Sequence, residues 1–337
     1  MVDATHISFA ANDRSYFSLL KKEIHRRAQE AGIPGSRVNE LDIIVAEMTS
    51  NLFKYSDDGE ILMGSFSNNN SPYIELICID NGPGMANPAR MLVDGMSTTN
   101  TLGQGLGAIK RLSDTFELYS LVGWGTIVLS RVYIDPESVK KKSEVTIRPI
   151  VVAKPGETVS GDGLIYKTTD KYLKLMLADG LGHGIEANKA INEAASAFKI
   201  YPDFSPTETL RFVHGLIKKT RGMVANVICI NFKTKTWTTA GIGNIAVRML
   251  GPLASRNHMS YNGIVGHNIP GTMSDQEYPA DQYNYAVICS DGIKTRWDLS
   301  KYPMIQKYDP AILAAAIYKD HARKTDDMSV IVVKINS

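Results

Sequence analysis

The chain has 337 residues, room for two domains of ordinary size. Its 37 Lys and Arg against 35 Asp and Glu leave a formal charge of +2, too even a balance to imply nucleic acid or another polyanion as partner. No apolar run approaches the roughly 20 residues that span a bilayer, and no apolar signal core opens the chain, so the sequence predicts a soluble cytoplasmic protein with no membrane partner.

The first predicted helix runs from Asp13 to Ala31, with Tyr16, Leu19, Leu20 and Ile24 at helical spacing and Gly32 and Pro34 as its stop. A second begins near Ser36 and carries Leu41, Ile44, Val45, Met48 and Leu52 as a buried stripe. Glu47 and Asn51 lie four apart on its other face, so their side chains project together about one turn apart. Such a pair is also an ordinary solvated face. Two strands follow as a hairpin, Glu60 to Phe66 and Tyr73 to Ile79, around the turn Asn68-Asn69-Asn70-Ser71.

The second strand runs into Asp80-Asn81-Gly82-Pro83-Gly84-Met85. A segment ending Leu102-Gly103-Gln104-Gly105-Leu106-Gly107 then opens a predicted helix from Ala108 to Leu112. Glycines at alternate positions before a helix let backbone N–H groups and the helix N-terminus meet a phosphate chain. The set of Glu47 with Asn51, the Asp80 loop, the Gly103–Gly107 loop and Gly123-Trp124-Gly125-Thr126 before a final strand resembles the conserved boxes of the GHKL ATPase and kinase family. Within it, the text from Asp94 to Leu118 is most similar to RsbT-type switch kinases, and the resemblance covers roughly residues 5 to 134. It implies that Asp80 bonds the adenine amino group and that Gly82 and Gly84 shape the loop for the base. Thr126 lies near the adenine, Asn51 holds Mg²⁺ on the ATP phosphates, and Gly103, Gly105 and Gly107 cover them. Glu47 is the implied general base toward a serine or threonine hydroxyl. Those residue types suit phosphoryl transfer, which needs positioning, charge neutralisation and one base in reach.

The polar stretch 135–144, with Pro136 and the run Lys140-Lys141-Lys142, predicts a linker between domains at 1–134 and 145–337. Beyond it, Val145 to Val152 reads as a strand. Tyr172-Leu173-Lys174-Leu175-Met176-Leu177 alternates with a period of two and runs into Ala178-Asp179-Gly180-Leu181-Gly182-His183-Gly184 before a helical pattern. A capping box, Ser205-Pro206-Thr207-Glu208, opens a helix with Leu210, Val213, Leu216 and Ile217 on its core face. Strands at Val224 to Phe232, Thr236 to Ala240 and Asn244 to Leu250, and a helix near Ala311 to Tyr318, complete an expected α-β-β-α sandwich. The three cysteines, Cys78, Cys229 and Cys289, each fall in an apolar strand-like run and are expected as buried free thiols.

Four acidic clusters punctuate this half beside strands: Gly161-Asp162-Gly163, Asp179-Gly180, Ser290-Asp291-Gly292-Ile293 and Asp326-Asp327-Met328-Ser329. Carboxylates gathered at one sheet edge suit hard divalent cations, Mg²⁺ and Mn²⁺ alike, and a metal pair can activate water and clamp a phosphoryl group. In that order the clusters resemble the SpoIIE-like branch of the metal-dependent type 2C protein phosphatases, closest to the RsbX type, over roughly residues 145 to 335. The resemblance implies two Mn²⁺ or Mg²⁺ ions with Asp179 and Asp291 as direct ligands. Gly180 gives its carbonyl, Asp326 completes the site, Asp162 acts directly or through water, and Asp327 and His183 shape the surroundings.

The expected architecture is therefore an α/β two-domain chain, a GHKL sandwich followed by an α-β-β-α phosphatase sandwich. The expected function is a bifunctional partner-switching regulator that phosphorylates and dephosphorylates a STAS-domain protein, with a sigma-factor regulator as a further possible partner. The alternative is an ATP-gated, non-catalytic clamp fused to a sole phosphatase. The sequence carries no signal for oligomeric state.

Overall fold

The computed structural model describes residues 5–10, 15–56, 58–68, 71–92, 105–137 and 143–336. It divides into two compact units, one comprising His6–Lys142 with Met304–Ala316, the other Met1–Thr5, Ser143–Pro303 and Ile317–Ser337. Among the described residues no helix is long and apolar enough to cross a membrane.

The first unit contains β1 (His6–Ala10), α1 (Ser15–Glu30), α2 (Gly35–Tyr55), β2 (Gly59–Asn68), β3 (Ser71–Asp80), the short α3 (Pro88–Met91), α4 (Gly105–Leu112), β4 (Thr115–Leu121) and β5 (Gly125–Tyr133). Its strands pair antiparallel in the order β1-β2-β3-β5-β4. The predicted α2 stripe is buried throughout and packs with Ile61, Met63, Ile74, Leu76 and Cys78 of the β2–β3 hairpin. In α1 the buried row is Leu20, Ile24 and Ala28, whereas Leu19 is 55% exposed. Leu19 lies about 100° around the helix from that row, so it belongs to the outer face. The helix predicted from Ala108 starts at Gly105 instead, which places Gly105 and Gly107 inside it. Leu106, Ile109 and Leu112 pack together against the core, and that burial outweighs the poor helix propensity of the two glycines.

Arg131 is fully buried in β5 and donates to Glu75 on β3. It also donates to both oxygens of Asp309, at 2.6 and 3.0 Å, in the Met304–Ala316 segment of the same unit. Burial alone would lower the pKa of its guanidinium, but Asp309 and Glu75 outweigh it and hold the group charged.

The second unit begins with β6 (Val145–Val152), β7 (Asp162–Thr168), β8 (Tyr172–Gly180), α5 (Gly184–Ile200) and α6 (Pro206–Leu216). It continues through β9 (Met223–Asn231), β10 (Thr236–Ile242), β11 (Ala246–Leu250), β12 (Ser255–His258), β13 (Gln276–Pro279), β14 (Tyr285–Cys289), α7 (Pro310–His321, whose first turns group with the other unit) and β15 (Met328–Ile335). One antiparallel set runs β12-β11-β14-β15-β6, and a second runs β13-β10-β9-β8-β7. The two sets face each other through Leu173, Leu175, Leu177, Ile228, Trp237, Met249, Ile288 and Ile331. The opposite face of the second set, with Met176, Ala178 and Val227, is covered by Ile191, Phe198, Leu210 and Val213 of α5 and α6. Strands buried on both faces explain the near-continuous apolar runs of β8 and β9.

Two details of α6 differ from the sequence reading. Leu216 is 53% exposed and Ile217 alone turns inward at that end. The capping box is half-formed: Ser205 Oγ accepts from Glu208 N at 3.3 Å, while Ser205 N donates to Asp203 at 3.2 Å instead of to Glu208. All three cysteines are buried free thiols, and burial raises the pKa of each.

Candidate functional sites

In the first unit, Glu47 and Asn51 are both half-buried on one face of α2. Gly105, the first residue of α4, comes so close that a Cβ there would sit 2.6 Å from Glu47 Oε2 and 3.8 Å from Asn51 Oδ1. The N-terminus of an eight-residue helix is thereby brought to the Glu–Asn pair, and the partial positive charge of a helix N-terminus favours an anion there. Gly107 is buried as the third residue of the helix, and Gly103 lies outside the described residues.

Asp80 ends β3 directly opposite Thr126 of β5. Its Oδ1 accepts from Gly82 N at 2.8 Å and Thr126 N at 3.1 Å, which fixes the carboxylate at the mouth of the β3–β5 ladder. The Asp80 loop lies along the last turn of α2: a Cβ on Gly82 would meet the Tyr55 carbonyl at 2.4 Å, and Asn81 N donates to Ser56 Oγ at 3.3 Å. Asp80 and Thr126 are thus joined through α2 to Asn51 and Glu47. For Gly84 the fold itself requires glycine, whatever approaches the loop from outside. Its φ is +69°, and a Cβ would lie 1.8 Å from the Leu121 carbonyl, so the glycine is required where this loop crosses the β4–β5 turn.

In the second unit, Asp162 on β7 and Asp179 on β8 are direct cross-strand partners. Asp162 is buried; its Oδ2 accepts from Ser329 Oγ at 2.7 Å, and Ser290 Oγ binds it as well. Asp291 follows β14, with Oδ2 accepting from Asn244 Nδ2 at 2.9 Å and its backbone carbonyl from Arg323 Nε at 2.9 Å. Asp326 accepts from Asp327 N at 2.9 Å. Both oxygens of Asp327 are taken by backbone N–H groups, of Lys154 and Gly161, each at 2.9 Å, so this residue ties down the β6–β7 loop. His183 bonds Glu157 at 2.7 Å, in keeping with a loop-shaping role.

The electrostatics of this edge follow from the clustering. Burial raises Asp179 most, and every further charge acting on it strongly is a carboxylate, from Asp162, Asp291, Asp326 and Asp327. Asp162 is raised by burial too, against the pull of the Ser290 and Ser329 hydroxyls. Among the described residues no three acidic, His or Cys side chains already form a cage around one point. The donor set is nonetheless all oxygen, mutually repelling and partly buried, which is the chemistry that a hard divalent cation relieves. Gly180, beside Asp179, adds a backbone carbonyl at the same strand end. Ser290, Ser329 and Asn244, which orient these carboxylates, were not singled out in the sequence. The two serines stand inside the acidic motifs, whereas Asn244 carries no local signal.

Residues 9–131 match the family model of the histidine kinase-like ATPase domain. The chain is 31% identical over 99 residues to the serine/threonine-protein kinase RsbT of Bacillus subtilis (strain 168), a stretch covering 29% of this chain and 74% of RsbT. It is 29% identical over 92 residues to the phosphoserine phosphatase RsbX of the same organism, covering 27% of this chain and 46%, less than half, of RsbX. The crystal structure of RsbX in complex with magnesium superposes with a TM-score of 0.52 at 20% identity, over 58% of this chain and 98% of that one. A structure from work on the bacterial stressosome superposes with a TM-score of 0.52 at 25% identity, over 57% of this chain and all of the other (100%). The chain therefore belongs to the RsbT-like branch of the histidine kinase-like ATPase domain family, and joins that domain to a phosphatase fold of the RsbX kind.

Proposed function

We propose that this chain is a bifunctional regulator of partner-switching signalling in the cytoplasm. The first domain phosphorylates a serine or threonine of a STAS-domain protein with ATP, and the second removes phosphate from such a protein. The observation that carries the reading is the placement of Glu47 against the first residue of α4, because a nucleotide clamp without transfer has no use for a carboxylate there.

On this reading Asp80 and Thr126 receive the adenine, and Asn51 and the α4 N-terminus receive the phosphates with their Mg²⁺. Glu47 takes the proton of the attacking hydroxyl. In the second domain Asp179 and Asp291, with Asp162, Asp326 and the Gly180 carbonyl, would hold a pair of divalent ions. When bound, such a pair activates water and neutralises charge on the phosphoryl oxygens. Ser329, Ser290 and Asn244 keep the carboxylates in position through the bonds already described.

The test uses radiolabelled ATP, Mn²⁺ and a STAS-domain protein from the same genome, with wild type, Glu47→Ala and Asp179→Asn compared. Label that accumulates on the STAS protein only with Asp179→Asn, and disappears when Glu47→Ala is added, supports opposed activities. Absence of label with every variant, alongside ATP-dependent binding of the STAS protein, replaces the kinase with a gated clamp.

A further inference from the structure

Between the two loops that carry Asp291 and Asp326, the second unit has a cavity of about 530 Å³ lined by Lys294, Thr295, Arg296, Asp320, His321 and Arg323. Its size falls within the roughly 300–1,000 Å³ of ordinary ligand sites. The walls are fixed by backbone bonds: Lys294 N donates to His321 O at 2.9 Å, and Arg323 N to Gly292 O at 2.8 Å. Arg323 Nε donates to the Asp291 carbonyl at 2.9 Å, which holds its guanidinium at the edge of the acidic centre.

The charge of this cavity is one-sided. Lys294 and Arg296 are exposed, and neither takes part in any ion pair found among the described residues. Asp320, the one carboxylate in the lining, accepts from Tyr302 Oη at 2.8 Å and pairs with Lys319 at 3.6 Å. Burial keeps His321 toward its neutral form, with Lys301 and Lys294 acting the same way against Asp320. Three cations against one carboxylate that is already bonded to Tyr302 and Lys319 leave this wall of fixed backbone with a net positive potential.

We infer that this cavity is a specificity subsite for the protein substrate, receiving acidic side chains that flank its phosphorylated serine or threonine. The inference rests on the phosphatase reading of the acidic centre. A phosphoryl group seated at Asp179 and Asp291 leaves the neighbouring residues of its chain beside Arg323, and from there over Lys294 and Arg296. The subsite adds nothing to the chemistry. It selects which phosphoprotein is presented.

The experiment uses two phosphonate peptides that share one non-hydrolysable phosphoserine mimic, one flanked by Asp and Glu, the other by Ser and Ala. Binding to the full, Mn²⁺-loaded chain is followed by fluorescence anisotropy. The acidic peptide is expected to bind wild type about tenfold more tightly than the neutral one, from two or three partly screened ion pairs. Added salt should erase this preference. Lys294→Gln with Arg296→Gln should abolish it, and Lys294→Glu with Arg296→Glu should invert it. Equal affinities for wild type, or a preference that survives charge reversal, overturn the inference. Hydrolysis of p-nitrophenyl phosphate by wild type is read in parallel. If it occurs without flank preference, the subsite alone is refuted; if it is absent with both Mn²⁺ and Mg²⁺, the phosphatase reading fails and the subsite with it.

Discussion

Asp162 and Asp179 face each other across the β7–β8 ladder, two carboxylates where an antiparallel sheet would ordinarily place an attractive pair. The Ser329 hydroxyl holds Asp162 in this position at 2.7 Å; Asp162 is buried and Asp179 half-buried. The fold thus retains a local repulsion that a cation would remove.

The first prediction follows from that repulsion. Asp179→Asn should leave the metal-free protein as stable as wild type or more so, because a buried like-charge contact disappears. Wild type should gain about 2–3 kcal/mol when Mn²⁺ or Mg²⁺ is present near a hundredfold above its dissociation constant, and the variant should gain none. Thermal unfolding with and without metal decides it, and an equal metal-induced rise in both proteins would count against Asp179 as a ligand.

Gly105 offers a test that separates folding from transfer. Gly105→Ala adds a better helix former to the first turn of α4, worth up to about 1 kcal/mol of stability. The same Cβ lies 2.6 Å from Glu47 Oε2 and displaces the carboxylate. The variant should therefore match or exceed the wild-type unfolding temperature while losing phosphotransfer. Glu47→Gln should retain ATP binding and lose about 10²–10⁴-fold in transfer rate, the usual worth of a general base. Transfer at the wild-type rate with Glu47→Gln would remove Glu47 from that role.

Arg131 carries a third prediction. It is fully buried between Glu75 and Asp309, so Arg131→Met strips two carboxylates of their counter-ion. Breaking a buried pair from one side costs about 3–5 kcal/mol, so urea unfolding should show a loss of that order. Combining it with Glu75→Gln and Asp309→Asn should recover much of the loss, since the stranded charges go too. A single variant within about 0.5 kcal/mol of wild type would show that water reaches the site.

What could be read from the chain divides along physical lines. The α2 stripe is a local periodicity that stands in the structure as expected, whereas the β8 alternation does not: Leu173 to Ala178, Lys174 included, are all buried, because the strand is covered on both faces. The acidic motifs were legible only through repetition, because one Asp-Gly turn is common whereas four acidic clusters beside strands in one half of the chain are not. The strand His6–Ala10 carries only two alternating apolar residues, Ile7 and Phe9, too few for a periodic signal, and its one fully buried position is a histidine, bonded to Glu75 at 3.1 Å. The start of α4 was misplaced because glycine propensity argued for a loop while Leu106 and Ile109 were to be buried. Contacts such as Ser329 to Asp162 and Arg131 to Asp309 join residues 167 and 178 positions apart, and no local pattern encodes them. Gly84 shows the converse case. The sequence marks the residue through its motif, while the neighbouring Leu121 carbonyl, which requires glycine there, is supplied only by the fold.

The last prediction concerns acid stability and the buried His258. Its Nδ1 faces Gln276 Oε1 at 3.1 Å, while Nε2 is buried with no hydrogen-bond partner among the described residues. Burial lowers its pKa below the ordinary value of 6.5, only partly opposed by the Gln276 bond. A proton on Nε2 would be a buried, unpaired charge, so the folded state binds it less readily than the unfolded chain does. With the folded pKa depressed, the unfolded state binds more protons between that pKa and 6.5, and stability falls as pH drops through this window. Above 6.5 both states are neutral at this residue and its contribution is fully present. His214 and His321 are lowered by burial as well and add to the same slope. Replacing His258 by Gln should therefore flatten the dependence of unfolding free energy on pH just below 6.5 without removing it, by at most about 1.4 kcal/mol per pH unit, the limit for one titrating group. Urea titrations at stepped pH on wild type and variant measure the difference. Identical slopes would mean that His258 takes up its proton in the folded protein as easily as in the unfolded one.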